Sequence, residues 1–231
     1  MIQLQDVGFA YAQGGFRLEI GELSIAAGER VCWIGPSGSG KTTLLHLVAG
    51  IVSPTVGRIE TCGVELTSQS DAARRDFRIA NIGLVFQDFA LLDYLNVLDN
   101  ILLPYRINRS LQLEPTVRAR ARRLAEDLGL AEMLLRLPTQ LSQGERQRVA
   151  VCRALVTHPK MLLADEPTAN LDPSNASHVI DALDAYAQEQ QATLVVVTHD
   201  QEVQARLDGT IDVSSFCAPL RADSAEGSDN G

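Results

Sequence analysis

Residues 35–43 read Gly-Pro-Ser-Gly-Ser-Gly-Lys-Thr-Thr, and this stretch decides the fold. It matches the P-loop pattern G-x-x-x-x-G-K-[ST] at every position. The apolar run at residues 31–34 before it predicts a buried strand, and residues 41–49 after it predict a helix that ends at Gly50. A strand, a glycine-rich turn and a helix in this order predict a phosphate-binding loop in an α/β domain.

The P-loop residue types suit the binding of a nucleoside triphosphate. Glycines let the main chain approach phosphate oxygens closely, and the N–H groups at the helix start supply a positive field. Lys41 is expected to reach the β- and γ-phosphates, and the Thr42 hydroxyl to ligate Mg²⁺. The predicted nucleotide-binding residues here are Gly35, Pro36, Ser37, Gly38, Ser39, Gly40, Lys41, Thr42 and Thr43.

Three further apolar runs also end at polar residues. Residues 82–86 precede Gln87, residues 161–164 precede Asp165 and Glu166, and residues 194–198 precede His199. Continuous apolar runs of this length are typical of strands buried on both faces of a parallel sheet. Because ligands bind at the carboxyl ends of such strands, we expect all the polar endings to converge with the P-loop on one edge.

Asp165 and Glu166 are candidates for metal binding and catalysis. The first carboxylate could hold Mg²⁺ through water, and the second could act as general base on an attacking water. Alone, the pair would more often be two solvated carboxylates at a strand end. The P-loop upstream reverses that preference.

Residues 141–145 read Leu-Ser-Gln-Gly-Glu, and we call them the signature segment. Ser142 and Glu145 form the pattern S-x-x-E, a capping box that predicts the start of a helix running through Leu155. A capped helix start with a glycine is also an anion site, so the structural and functional readings are compatible.

The P-loop, the signature segment and the run Met-Leu-Leu-Ala-Asp-Glu at residues 161–166, in this order, resemble the ATP-binding subunit of an ABC transporter. The resemblance covers residues 1 to about 215. It implies an α/β P-loop NTPase (RecA-like) fold with a mostly parallel sheet core, a small antiparallel β subdomain and an inserted helical subdomain. It also implies binding and hydrolysis of ATP with Mg²⁺. Residues 85–92 and 95–101 look most like the lipoprotein-release and macrolide-efflux branch.

The resemblance assigns roles to the convergent residues. Glu166 matches the catalytic glutamate, Gln87 the Q-loop glutamine that touches Mg²⁺ and the lytic water, and His199 the H-loop histidine that contacts the γ-phosphate. Thr42, Gln87 and Asp165 are thus the expected metal-site residues. Tyr11 matches the aromatic residue that stacks on adenine. Phe9, two residues earlier in the same predicted strand, is the less favoured choice.

In this family the signature segment reaches across a head-to-tail dimer to the γ-phosphate held by the other subunit. Ser142, Gln143 and Gly144 are expected to do so here. Gln143 replaces the commoner Gly and Glu145 the commoner Gln, but the main-chain N–H at position 143 is retained. Residues 167–172 resemble the D-loop, which ends at Asp172, and Asp172 is an expected nucleotide-binding residue. Ala169 and Asn170 are a mild departure from the usual sequence of this loop.

The chain divides into a nucleotide-binding domain at residues 1–216 and a tail at 217–231 that is expected to be disordered. A helical subdomain is expected at about 88–143, with a helix from Pro115 through Leu128 that stops at Gly129. A continuation as a short helix is expected between residues 130 and 137. The basic cluster of this region is either a solvated face or a contact for anionic lipid headgroups; it comprises Arg118, Arg120, Arg122 and Arg123.

Composition limits the partners and the compartment. The net charge of −9 argues against broad nucleic-acid binding, and no apolar stretch is long enough to cross a bilayer. The four cysteines are scattered, as in a reduced, cytoplasmic protein. The resemblance implies a homodimer in the ATP-bound state, held at the inner face of the membrane by a permease.

An apolar run after Gln87 is the predicted contact with the permease; it comprises Phe89, Ala90, Leu91, Leu92, Tyr94 and Leu95. Packing within the subdomain is expected to account for about half of these residues. Two other classes of protein stay open from the residues alone. One is an ABC-type ATPase that acts on nucleic acid or ribosomes, and the other is a P-loop kinase or GTPase.

Overall fold

The computed structural model describes residues 1–12, 16–169 and 171–217. The predicted disordered tail lies outside these residues apart from Cys217, and so does Asn170 of the predicted D-loop. Within the described residues, none of the helices combines the length and the hydropathy needed to span a bilayer.

The described strands belong to two sheets, and helices cover the larger one. In chain order the strands are β1 (Ile2–Ala10), β2 (Arg17–Ile25), β3 (Arg30–Ile34), β4 (Val56–Thr61), β5 (Val64–Glu65), β6 (Ile82–Val85), β7 (Met161–Asp165), β8 (Thr193–Val197) and β9 (Gly209–Asp212). The helices are α1 (Lys41–Val48), α2 (Asp71–Asn81), α3 (Val97–Ile101), α4 (Leu103–Ile107), α5 (Pro115–Asp127), α6 (Gln143–Leu155), α7 (Pro173–Gln190) and α8 (Gln201–Gln204). Short 3-10 turns lie at Ala131–Met133, Pro138–Gln140 and Val213–Phe216.

The larger sheet is parallel and has the strand order β6-β7-β8-β3-β9. Its central strands β7 and β8 are buried along their whole length, as continuous apolar runs predict. The register pairs Val85 with Ala164, and Val197 with both Asp165 and Trp33. The carboxyl ends of β3, β6, β7 and β8 therefore meet at one edge, which confirms the predicted parallel core.

The smaller sheet is antiparallel, in the order β2-β1-β4-β5. In β1 both Leu4 and Val7 are buried although they are three residues apart. A β-bulge places both side chains on the same face of the sheet: the pairing with β4 shifts between Gln5 and Gly8, and Asp6 has a φ of 49°. Gly57 lies against the bulge, and a Cβ there would come within 2.3 Å of the Asp6 carbonyl oxygen. The bulge therefore requires glycine on the neighbouring strand.

The region after β6 is mainly helical. Helix α5 begins at Pro115 as predicted, and Gly129 beyond its end has a φ of 68°. The short helix expected between residues 130 and 137 is only one 3-10 turn. Pro138 follows it, and the carbonyl oxygens of Leu134 and Arg136 accept hydrogen bonds from main-chain N–H groups at the start of α3 instead of continuing a helix. The division at about 88–143 stays a prediction.

Helix α6 packs on both sides. Its residues Val149 and Cys152 join a buried cluster with α3 and α5, whose members include Val97, Ile101, Val117, Ala121 and Ala125. Val151 and Leu155 instead pack against the parallel sheet. The buried core of the helical region therefore extends into α6, beyond residue 143.

Candidate functional site

A cavity of about 600 Å³ opens at the carboxyl edge of the parallel sheet. Most of the predicted site residues surround it. Its lining comprises Tyr11, Phe16, Gly35, Pro36, Ser37, Gly38, Gly40, Lys41, Thr42, Thr43, Gln87, Asp165, Glu166 and His199.

The P-loop forms the floor of this cavity and leads directly into α1. Gly40 caps the helix with a φ of 89°, and a Cβ there would lie 2.5 Å from a ring carbon of Phe16. Lys41 Nζ donates to the carbonyl oxygens of Gly35 at 2.7 Å and Pro36 at 3.0 Å. The ammonium group is thus held over the loop whose N–H groups would bind phosphate.

Ser39 is the one P-loop residue that does not line the cavity. It is buried beneath the loop, and its carbonyl oxygen accepts a hydrogen bond from Cys217 Sγ at 3.0 Å. We did not predict this contact, because 178 positions separate the two residues and no local pattern marks it.

Thr42 and Asp165 meet at the start of α1. Thr42 Oγ1 donates to Asp165 Oδ2 at 2.7 Å, and Asp165 is buried at the end of β7. Hydroxyl and carboxylate oxygens suit Mg²⁺, which commonly takes one or two protein oxygens together with phosphate oxygens and water. The described residues contain no cluster of three or more His, Cys, Asp or Glu side chains that could hold a metal by itself. The donor set therefore fits a metal carried in with a nucleotide.

Glu166 and His199 face each other across the ends of β7 and β8. His199 Nδ1 lies 3.2 Å from Glu166 Oε1. The Glu166 side chain is 17% exposed and that of His199 is 83% exposed. This pair can orient a carboxylate toward a water in the cavity while the imidazole stays accessible to a ligand.

Tyr11 and Phe16 form the aromatic side of the cavity. The Tyr11 hydroxyl lies 3.1 Å from Thr43 Oγ1, and its ring centroid is 6.1 Å from that of Phe16. Phe9 is buried and meets the Tyr11 ring edge-on at 4.8 Å. We did not predict Phe16, although its alternation with Leu18 and Ile20 is a signal that could have revealed it.

The signature segment does not line the cavity. Ser142 Oγ accepts from the Glu145 N–H at 3.3 Å, and Glu145 Oε2 accepts from the Ser142 N–H at 2.6 Å. This confirms the capping box, and the bond from the Ser142 main chain lowers the pKa of Glu145. Ser142 and Gln143 are exposed, whereas Gly144 is buried.

Asp172 also lies away from the cavity and caps α7. Its carboxylate accepts from the main-chain N–H of Asn175 at 3.1 Å and from the Asn175 side chain at 2.5 Å. These bonds lower the pKa of Asp172. Asn175 in turn accepts from Arg148 of α6 and lies against Gly144. The predicted D-loop is therefore attached to helix α6 of the same chain.

Comparisons with known proteins identify the family of the chain. The sequence profile of the family described as ABC transporter matches residues 18–169. The chain is 38% identical over 216 residues to the lipoprotein-releasing system ATP-binding protein LolD of Rhodopseudomonas palustris (strain BisB5), with 92% of each chain covered. It is 40% identical over 210 residues to the LolD protein of Bordetella pertussis, with 90% of each covered.

Solved structures match the fold over nearly the whole chain. One is a dimeric post-hydrolysis state of an ATP-binding cassette bound to ADP and Pi, with a TM-score of 0.84 and 31% identity over 96% of this chain and 99% of that one. Another is a dimeric bacterial ABC transporter cassette, with a TM-score of 0.83 and 32% identity over the same shares. These matches confirm the predicted P-loop NTPase fold.

Proposed function

This chain belongs to the ABC transporter family, and we propose that it binds and hydrolyses ATP to drive a separate permease of the lipoprotein-releasing kind. The proposal takes the transport process from the name of the LolD relatives. The observation that carries the chemistry is the meeting of two pairs in one cavity, Thr42 with Asp165 and Glu166 with His199.

Binding uses the floor and the aromatic side of the cavity. The P-loop N–H groups and the Lys41 ammonium would take the β- and γ-phosphates, and the Tyr11 ring would stack on adenine. Thr42, Asp165 and Gln87 would hold Mg²⁺, which neutralises phosphate charge when it is bound. Tyr11 is preferred to Phe9 because Phe9 is buried.

Hydrolysis needs a base beside the γ-phosphate. Glu166 would take a proton from the attacking water, whose oxygen bonds to the γ-phosphorus as the bond to the β,γ-bridging oxygen breaks. His199 would hold the Glu166 carboxylate and touch the γ-phosphate. The products are ADP and inorganic phosphate.

Dimerisation would complete the site. Ser142 and Gln143 are exposed and lie outside the cavity of their own chain, so they are available to a second copy. Gly144 also lies outside the cavity but is buried against Asn175. Two chains placed head to tail would each cover the other's γ-phosphate with a signature segment. The dimeric cassettes among the solved relatives support this arrangement.

The permease would bind beside the segment after Gln87. Leu91 packs into the helical cluster, whereas Tyr94 is 77% exposed. A neighbouring apolar groove of about 220 Å³ is lined by residues that include Phe86, Ala90, Leu103 and Ile107. This surface would seat a cytoplasmic helix of the permease and so keep the chain peripheral to the membrane, on its inner face.

The Glu166→Gln variant tests the proposed function. It should bind ATP as the wild type does, while the rate of hydrolysis drops by about 10²-fold or more because the positioned base is lost. Lys41→Ala should lose nucleotide affinity as well. Phosphate release and ATP titration measure the two effects, and Glu189→Gln on the exposed face of α7 is the matched control. Near wild-type hydrolysis by Glu166→Gln would contradict the assignment.

A further inference from the structure

The chain makes a strained turn directly after Gln87. Phe89 has a φ of 61° and Ala90 a φ of 47°. Residues other than glycine rarely adopt this left-handed conformation, because Cβ crowds the following carbonyl oxygen. Local support is limited to bonds from the Phe89 N–H to the Phe86 carbonyl at 3.3 Å and from the Ala90 N–H to the Asp88 carbonyl at 2.7 Å. The turn therefore depends on contacts with the rest of the fold.

Arg153 of α6 supplies such a contact. Its Nη2 donates to the Phe89 carbonyl oxygen at 2.7 Å, and its Nη1 donates to the Ala90 carbonyl oxygen. Burial lowers the pKa of Arg153 to about 10, while the Asp88 carboxylate acts in the opposite direction. The guanidinium thus stays charged at neutral pH, and its planar fork serves two carbonyls at once, which an ammonium group does less well.

Helix α6 also contacts the main chain just after β7, beside Glu166. Gln147 Nε2 donates to the carbonyl oxygen of Pro167 at 2.7 Å, and Pro167 directly follows Glu166. The helix begins at the signature segment, where Ser142 caps it. With 13 residues it is roughly 20 Å long. One rigid element therefore holds the main chain beside both Gln87 and Glu166.

We infer that Arg153 is a positioning residue that holds the Phe89–Ala90 turn and thereby sets the place of Gln87 in the nucleotide cavity. A movement of α6 when the signature segment engages a partner's nucleotide would pull on this turn through the guanidinium. The inference rests on the proposed function, because Gln87 has a catalytic task only if the cavity hydrolyses ATP.

Arg153→Met removes both hydrogen bonds and keeps the length of the side chain. We expect kcat to fall by about 10- to 100-fold, as for a small misplacement of a catalytic group, with KM within about twofold of the wild type. The kcat of Arg153→Lys should lie between those of Arg153→Met and the wild type, because lysine keeps the charge but not the planar pair of N–H donors. Arg123→Met, at an exposed position of α5, is the matched control and should leave kcat unchanged.

A rescue experiment separates positioning from a role in packing. Glycine adopts the left-handed conformation without a steric penalty, so Ala90→Gly should make the turn less dependent on the guanidinium. In the Arg153→Met background it should raise kcat by about fivefold or more, whereas Ala90→Gly alone should stay near wild type. A glycine in an exposed turn would not repair a packing defect around α6.

Hydrogen exchange of residues 86–92 reports on the turn without any turnover. Arg153→Met should speed exchange there by about tenfold, and added Ala90→Gly should slow it again as kcat recovers. If folded Arg153→Met matches the wild type in both kcat and exchange, or if Ala90→Gly restores nothing, the inference is wrong. Should Arg153→Met not fold, Arg153→Lys carries the same comparisons. Failure of the proposed function would appear separately, as a wild type without ATPase activity or a fully active Glu166→Gln.

Discussion

Glu166 keeps an unfavourable main-chain conformation at the end of β7. Its φ is 46°, in a region that costs a non-glycine residue about 1–3 kcal/mol. The Glu166 N–H donates to the Val197 carbonyl oxygen at 2.9 Å, and His199 contacts the carboxylate. Both partners come from the end of β8 or the loop after it, so the neighbouring strand fixes the direction of the candidate base. The strain lies where the proposed chemistry needs a precise orientation.

At the residue scale, we expect Tyr11→Ala to weaken ATP binding. Stacking of an aromatic ring on a base is worth about 1–3 kcal/mol, so Kd should rise by about 5- to 150-fold. Tyr11→Phe keeps the ring and loses only the contact with Thr43, so it should bind nearly as the wild type does. Titration with a fluorescent ATP analogue measures the change. An unaltered Kd for Tyr11→Ala would remove Tyr11 from the adenine site.

Helix α6 shows how one element serves local and long-range demands together. Its start is stabilised by the reciprocal bonds between Ser142 and Glu145, which depend only on residues three apart. Its two apolar faces pack on the helical cluster and on the parallel sheet. The signature segment therefore stands on a helix that both halves of the core hold in place.

At the element scale, the capping box should make stability depend on pH. The hydrogen bond from the Ser142 main chain lowers the folded-state pKa of Glu145 below its ordinary value of 4.5. The charged form therefore stabilises the fold above that pH, and this contribution is lost as pH falls through the folded-state pKa. Glu145→Gln keeps an acceptor without the charge, so it should be less stable than the wild type at pH 7 by up to about 1 kcal/mol.

Urea unfolding of both proteins at pH 7 and pH 4 measures this difference. It should be smaller at the lower pH, because pH 4 lies below the ordinary Glu pKa of 4.5, so the unfolded wild type then binds more protons than the folded protein does. A difference in unfolding free energy that stays the same at both pH values would show that the Glu145 charge does not stabilise the cap.

The whole molecule keeps the two parts of the proposed nucleotide site apart. The cavity with the P-loop lies at the edge of the parallel sheet, whereas the signature segment lies at the start of α6 and outside that cavity. Asn175 links helix α6 to Asp172 of the predicted D-loop. Gln147 of α6 donates a hydrogen bond to the main chain just after Glu166. A second copy of the chain is therefore the natural source of the missing half.

At the scale of the assembly, we expect ATP to join two chains head to tail. Glu166→Gln should slow hydrolysis and so keep ATP bound, and this variant with ATP should therefore elute as a dimer in size-exclusion chromatography. Adding Ser142→Arg should return it to a monomer, because a bulky cation replaces the capping hydroxyl at the interface. Ser24→Arg, an exposed serine on β2, is the matched control. Elution that does not respond to ATP would count against the cycle.

The proposed permease surface gives a second prediction for the assembly. Tyr94→Asp and Ile107→Asp should leave ATP binding intact and reduce co-purification with the permease by about tenfold or more, because each puts a charge on an exposed apolar residue. Val56→Asp makes the same kind of change at an exposed residue of β4 and should have no effect. Normal permease binding by the first two variants would place the docking site elsewhere.

The sequence by itself determined the features that depend on short spacings. The P-loop between a strand and a helix, the capping box at Ser142 and the apolar runs of the parallel sheet are local patterns, and the structure confirms them. Convergence of the strand ends was also predictable, because carboxyl ends of parallel strands share an edge. Most of the candidate site follows from the P-loop pattern and from this convergence of the strand ends.

Only the tertiary structure decided the contacts between distant segments. The bond from Cys217 to Ser39 and the hydrogen bonds from Arg153 to the turn after Gln87 have no local pattern in the sequence. Alternation could have marked Phe16 as buried, but not as part of the cavity wall. Each uses a main-chain carbonyl or an apolar surface, which many side chains could meet equally well. Which side chain arrives there depends on how the sheets and helices pack, and that packing is a property of the whole chain.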